Sequence, residues 1–200
     1  MRSRRPDRAE VGHDMAAHRA SWEEYLAIDA ASPTKNAYFD GQILAMAGGS
    51  EEHALLSMNM GVALSLALRG RPCRVYSSDL RVRVAATGLG TYPDVTVVCG
   101  ASERDGETVL NPIVIVEVLS GSTEGYDRGE KFDHYKQVPT LREYVLVEQG
   151  RARIERFHRD EAGRWVHDAW TAGGVVTLPS LGVAVAVDDV YVGVEAVRTA

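Results

Sequence analysis

Two carboxylates in valine-rich surroundings are the residues of this 200-residue chain best placed to do chemistry. Glu117 stands in the middle of IVIVEVLS (113–120), a run of branched apolar residues that reads as a buried strand. Asp94 opens DVTVVC (94–99), a second such run. A bare carboxylate removed from water is costly, so it neutralises, finds a cationic partner or binds a metal ion. Taken as an antiparallel pair closed by the polar loop GASERDGETVLN (100–111), the two runs set Val98 opposite Ile113, Thr96 opposite Ile115 and Asp94 opposite Glu117. Directly opposed residues share one face of a sheet, with Cβ atoms about 4.5–5.5 Å apart. Two carboxylates so placed repel unless one is protonated or a cation sits between them. Mg²⁺ suits the second arrangement, since it takes one or two carboxylates and keeps several waters. Read singly, each residue has a structural alternative: Asp94 follows Pro93 and can belong to a turn, and Glu117 can pair with Arg81 or Arg83. Read jointly, they favour a metal site.

The next segment, STEGYDRGEKFDHYKQ (122–137), reads as a helix and supplies a cation. Asp127, Lys131 and Tyr135 are spaced by four and share one helix face. An Asp–Lys pair of this kind is ordinarily a surface feature contributing a few tenths of a kcal/mol at most. Gly125 and Gly129, however, each cost roughly 1 kcal/mol relative to alanine, which points to close approach of this helix to the sheet or to a ligand. From there Lys131 can reach the end of the Glu117 strand, to orient or deprotonate a metal-bound water or to stabilise charge on a phosphoryl group.

These residues need a scaffold, and the patterning supplies one. Ser21 caps a helix beginning at Trp22, with Glu23 and Glu24 in its first turn. Asp40-Gly41 marks a β-hairpin within NAYFDGQILAMAGG. Ser50 caps a long, widely apolar helix that ends near Gly70 and packs against a sheet. RPCRVYSSDLRVRVA then switches to period two, and YPDVTVVCG and PIVIVEVLS, apolar on both faces, read as central strands. The helix over 123–137 stops before Pro139, REYVLVEQ adds a strand, and 151–186 reads as a run of antiparallel strands before a short terminal helix or turn. One domain over 21–200 is expected, preceded by a frayed basic tail over 1–20 that lacks the apolar core of a secretory signal.

Composition narrows the function classes. The net charge of −6 weighs against a protein that coats nucleic acid through bulk basicity, although a local basic groove stays compatible with it. No apolar run is long enough to span a membrane. Cys73 and Cys99 lack metal-ligand spacing and read as reduced residues of a cytoplasmic protein. His53, in the first turn of the long helix, reads as a capping or packing residue or as an auxiliary to the acidic pair. Asp79, at a strand position between arginines, reads as an ion-pair partner, and Phe157, Trp165 and Trp170 as core or interface residues.

Taken in order, Tyr92-Pro93-Asp94, Asn111-Pro112, EVLS, DRGEKF and PTLREYVLV, preceded by DGQILAMAGGS, His53 and YSSDLRVRV, resemble the Uma-two family within the PD-(D/E)XK nuclease superfamily. The resemblance runs from about Trp22 to Tyr191. It implies an α/β (α+β) fold with a restriction-endonuclease-like core: a mixed central β-sheet flanked by helices, here with extra antiparallel strands near the C-terminus. It also implies hydrolysis of phosphodiesters in nucleic acid, DNA foremost, that depends on Mg²⁺, with Mn²⁺ as an alternative, and leaves a 5′-phosphate. Asp94 and Glu117 would be the metal ligands and the Val118 carbonyl a further one. Lys131 would act on the nucleophilic water, Asp127 would position Lys131, and His53 and Tyr135 would be auxiliary. A homodimer is expected, from a sheet edge among the apolar late strands and from the symmetry of duplex cutting. Two departures stand out. The superfamily lysine falls two residues after the glutamate, where this chain has Leu119, and Lys131 on the next helix takes its place. Relatives commonly carry a glutamate three residues before the Asp-Gly turn, where this chain has Ala37; Gln42 likewise replaces a common acidic residue. Glu51 and Glu52 are candidates to compensate. Ala37 motivates an alternative: a nuclease-fold module that binds nucleic acid or protein without efficient cleavage. A weaker third reading is a metal-dependent hydrolase of some other phosphate ester.

Overall fold

The structure, a computed structural model, describes residues 19–46 and 48–195. The tail read over 1–20 therefore lies almost wholly outside the described residues. In chain order the elements are α1 (Trp22–Ala31), β1 (Asn36–Phe39), β2 (Gln42–Ala45), α2 (Glu51–Ala67), β3 (Cys73–Ser77), β4 (Val82–Val84), β5 (Leu89–Thr91) and β6 (Val95–Cys99). There follow β7 (Arg104–Asp105), β8 (Thr108–Val109), β9 (Val114–Leu119), α3 (Glu124–Arg128), α4 (Glu130–Tyr135) and β10 (Glu143–Glu148). The C-terminal part comprises β11 (Arg153–Arg159), β12 (Trp165–Thr171), β13 (Val175–Leu178), β14 (Val183–Ala186) and α5 (Val187–Val190).

The central sheet has the order β12-β11-β10-β9-β6-β3. It is mixed: β9 and β10 are parallel and joined over the sheet by α3 and α4, whereas the other neighbours are antiparallel. Because β6 and β9 lie in its middle, both their faces are covered, which is why they read as unbroken valine runs. Val95, Val97, Val114 and Val116 face α2, which buries Leu56, Met60, Leu64 and Leu68 against them. Ile115 and Leu119 face the other way, onto Phe132, Tyr135 and Tyr144. The architecture is the expected mixed sheet flanked by helices.

A second sheet, β2-β1-β5-β4-β8-β7, carries the hairpin. Asp40 and Gly41 both adopt positive φ, 48° and 79°, as a two-residue turn of the primed type requires. Gly90 on β5 is needed for another reason: a Cβ there would come within 2.5 Å of the Trp22 ring. The loop after β6 is more structured than its polarity implied, because β7 and β8 form a small hairpin that joins β4. β13 and β14 pair separately and bury Val176, Leu178 and Val185 in the α2 core.

Three expectations need correction. The helix read over 123–137 is two helices, broken at Gly129, whose backbone (φ −111°, ψ −100°) leaves the helical region. Asp79 does pair with a cation, but from a turn after β3 and with Lys35, 2.6 Å away. Cys73 and Cys99 are not reduced: they face one another across β3 and β6 and form a disulfide. Spacing along the chain cannot reveal a pairing made by strand register. The disulfide also removes the reduced cysteines as support for a cytoplasmic location. Among the described residues, no helix is long and apolar enough to cross a membrane.

Candidate active site

Strand register brings the acidic pair together. Thr96 pairs with Ile115 and Val95 with Val116, so the same alignment carried one residue further sets Asp94 opposite Glu117. Glu117 projects on the Ile115 face, under Lys131 and Tyr135 of α4, whereas Asp94 lies in the bend ahead of β6 and reaches the Val118 N–H at the sheet edge and His53 of α2. Asp94 stands just before the β6 ladder begins, where its Oδ2 accepts the Val118 N–H at 2.8 Å. The same oxygen lies 3.2 Å from His53 Nε2, delivered from the first turn of α2. The carboxylate raises the pKa of His53 through this bond, against the effect of partial burial.

Glu117 is 4% exposed and neither arginine reaches it. Arg81 pairs instead with Asp29 at 3.4 Å and Arg83 with Asp105 at 2.8 Å. Its partner is Lys131, whose Nζ lies 2.7 Å from Glu117 Oε1 and 3.0 Å from Asp127 Oδ1. Tyr135 OH donates to the same Glu117 oxygen at 2.9 Å. The residues spaced by four thus converge on Glu117, despite the break at Gly129 between Asp127 and Lys131. Tyr144 OH holds the Asp127 backbone carbonyl at 3.0 Å.

The electrostatics of the pair follow from burial. Desolvation pushes Glu117 up to about 7; Lys131 pulls it back down, while Asp94 and Asp127 add to the rise. Burial works against the Lys131 ammonium, but Glu117 and Asp127 outweigh it and move its pKa up. Lys131 is consequently a fixed cation at neutral pH, and a hydrogen-bond donor rather than a base.

The donor set can be tested against a metal ion. Among the described residues no three His, Cys, Asp or Glu side chains are grouped as a metal site. What the site offers is two carboxylates, each with one oxygen committed: Oδ2 of Asp94, and Oε1 of Glu117. Asp94 Oδ1 and Glu117 Oε2 have no protein partner among the described residues. The Val118 carbonyl faces the same side as its N–H, toward β6. This set of hard oxygens fits an ion that takes one or two carboxylates and retains water, as Mg²⁺ does, and fits poorly an ion that needs nitrogen or sulfur.

Comparison with known proteins identifies the family and the fold. Residues 22–188 match the Uma2 family, described as "Putative restriction endonuclease". The chain belongs to the Uma2 family. Two uncharacterized proteins of Synechocystis sp. are similar to it: slr1290, 38% identical over 176 residues (88% of this chain, 93% of that protein), and sll1609, 32% identical over 146 residues (72% and 82%). The fold is that of a solved structure from Anabaena variabilis, described as "a putative nuclease belonging to DUF820", with a TM-score of 0.67 at 14% identity, covering 84% of this chain and 96% of that one.

The departures of this Uma2 chain now have positions. Leu119, two residues after Glu117, is 4% exposed and packs in the core beneath α4, so no lysine head group reaches the site from there. Ala37 alternates with Asn36 and Tyr38, whose side chains bond toward α1, and shares a strand face with Phe39, which packs on His134 of α4. Gln42 pairs with Phe39 beside the turn and is exposed. Glu51 is exposed, and Glu52 is held low by its own N–H and by Ser50 at the helix start; among the described residues neither is grouped with Asp94 and Glu117 as a metal site.

Several residues around the site escaped sequence reasoning. Tyr144 shares the Glu117 face through the parallel register Leu146↔Glu117, which alternation along REYVLVEQ alone does not reveal. Gln149 ties the Leu119 carbonyl, at 2.6 Å, to Ser50 at the α2 cap, at 2.9 Å. Asp29 of α1 accepts the Tyr92 hydroxyl at 2.5 Å and two donors from Asn36, which anchors the Tyr92-Pro93-Asp94 turn. No local motif distinguishes either residue, because each acts across elements.

Proposed function

We propose that the chain is a metal-dependent nuclease that hydrolyses phosphodiester bonds of nucleic acid, DNA foremost. The observation that carries this reading is the buried Glu117 bonded directly to Lys131, with the Asp94 carboxylate held one residue along on the neighbouring Val118 N–H. Asp94, Glu117 and the Val118 carbonyl would hold a divalent cation, which would supply Lewis acidity at the scissile phosphate. Val118 N–H and His53 fix Asp94 through one oxygen, so that the other would be available to the cation. Tyr135 and Lys131 do the same for Glu117. Lys131, charged and pinned by Asp127, orients the attacking water and offsets negative charge as it builds on the phosphoryl oxygens. Water attacks phosphorus in line with the leaving 3′-oxygen and gives up a proton to solvent, so a P–O bond forms, the P–O3′ bond breaks, the 3′-oxygen takes up a proton from solvent and a 5′-phosphate remains.

One observation favours a second reading. Ala37 shares a strand face with Phe39, which packs on α4, where relatives carry an acid, and among the described residues no third acidic ligand replaces it, so the fold also suits a module that binds nucleic acid without efficient cleavage. The deciding experiment incubates the protein with single-stranded, duplex and branched DNA and with RNA, in Mg²⁺ or Mn²⁺, beside Glu117→Ala and Lys131→Ala. Cleavage by the wild type alone is expected. Cleavage that survives both substitutions overturns the assignment, and binding without cleavage selects the second reading. Ala37→Glu should then raise activity.

A further inference from the structure

α2 carries two faces of opposite use. One is buried against the central sheet through Leu56, Met60, Leu64 and Leu68. The other presents Met58, Val62 and Leu66, spaced by four and 64%, 48% and 57% exposed, a continuous apolar stripe rather than scattered contacts. The stripe borders a groove of about 800 Å³ between α2 and β3, the unpaired edge strand of the central sheet.

Gly61 stands beside this stripe in mid-helix, where glycine is unfavourable. Its own fold gives no reason for it: φ is not positive, and a Cβ added there would meet nothing within 4 Å. A reason from outside is room for a closely approaching helix.

The ends of the stripe identify that helix. Glu51 lies at its N-terminal end and Arg69 just past its C-terminal end, both exposed and neither in an ion pair among the described residues. The positions within α2 fall on one side of the helix by its own periodicity, and Arg69 follows in the turn directly after the Leu68 cap. Set antiparallel to itself about a two-fold axis at residue 60, α2 places Met58 against Val62, Ala54 against Leu66 and Glu51 against Arg69 of the second copy, each contact occurring twice. An isologous contact requires that sort of self-complementarity. We propose that this face of α2 is the interface of a homodimer, in which two copies pack α2 antiparallel, with Met58, Val62 and Leu66 at the centre and Glu51–Arg69 pairs at both ends. The two His53 residues would then lie about 20 Å apart along the helix axis.

Sedimentation velocity of the full chain tests this, with far-UV circular dichroism confirming that each variant is folded. The wild type should be a dimer and Val62→Glu a monomer. Glu51→Arg reverses two symmetry-related pairs and should weaken association roughly tenfold, as should Arg69→Glu, while the double reversal Glu51→Arg/Arg69→Glu should restore it. That rescue decides the matter even where Val62→Glu fails to fold. A monomeric wild type at high micromolar concentration overturns the proposal and leaves the face to another protein. A dimer insensitive to both single reversals overturns it as well and places the interface elsewhere. Cleavage is not read in this experiment, so dimerisation and nuclease activity stand or fall separately.

Discussion

Without a metal ion, Glu117 should be a burden to the fold, and Glu117→Gln makes that measurable. Its pKa is pushed up to about 7 from the ordinary 4.5, chiefly by burial. Each unit corresponds to roughly 1.4 kcal/mol, so the charged carboxylate is disfavoured by about 3 kcal/mol at most. Glutamine mimics the protonated acid: its amide oxygen can still accept from Tyr135 OH and Lys131 Nζ, which now hold Oε1. The metal-free variant should therefore be more stable than the wild type by about 1–3 kcal/mol above pH ~7, or roughly 2–10 °C in Tm. The sign with pH follows from proton linkage. Between pH ~4.5 and ~7 the folded wild type holds a proton that the unfolded chain has lost, so its stability falls as pH rises through that window. The advantage of the variant should open over the same window and vanish below it. Chelator-treated protein melted across this range gives the curve, and a second series with added Mg²⁺ or Mn²⁺ completes it. At ten times Kd a cation that binds only the native state contributes about 1.4 kcal/mol. The wild type should gain it and Glu117→Gln should not. A metal-free variant less stable than the wild type at about pH 8.5, or one that keeps the cation shift, would refute the reasoning.

Other substitutions probe the surroundings. Lys131→Met leaves Glu117 and Asp127, 4% and 3% exposed, without their shared cation and should cost about 3–5 kcal/mol in urea unfolding at neutral pH; a loss under about 1 kcal/mol would show that solvent reaches the pair. Tyr135→Phe removes one hydrogen bond to Glu117 and should cost about 1.5–3 kcal/mol above pH ~7 with less effect in acid, as read by melting at both ends. The disulfide between Cys73 and Cys99 closes a separation of 26 residues, so reduction should lower stability by about 3 kcal/mol, measured by melting with and without dithiothreitol. Glu155 is held down to about 2 by Arg128, His167 and Arg153 in spite of its burial, so its contribution is complete above pH ~4.5 and is lost as pH falls toward ~2. Allowing for the partial exposure of its arginine partners, Glu155→Gln should cost about 1–2 kcal/mol at neutral pH and little near pH ~2.

What could be read beforehand and what could not divides along one physical line. Features made by neighbours in sequence were legible: the Ser21 and Ser50 caps, the Asp40-Gly41 turn and the convergence of Asp127, Lys131 and Tyr135. The antiparallel register of β6 on β9, Thr96 against Ile115, was legible too, because two runs apolar on both faces leave few alternatives for their pairing. Features made by elements meeting in space were not: the Cys73–Cys99 link, the Tyr144 hydroxyl and the break at Gly129. The placement of the lysine shows why the two kinds must be combined. Position 119 lies on the same face as Glu117, but the parallel neighbour β10 and the aromatic cluster of Phe132, Tyr135 and Tyr144 cover it, and it holds a buried leucine. With that route filled, a cation can approach Glu117 only from above the sheet, and α4 is the element lying there. Gly129 lets the chain turn between α3 and α4 so that Asp127 and Lys131 still meet at 3.0 Å across the break. A lysine two residues after the glutamate and a lysine on the following helix are therefore two solutions to one constraint: a single ammonium must touch the buried carboxylate without giving up the core beneath it.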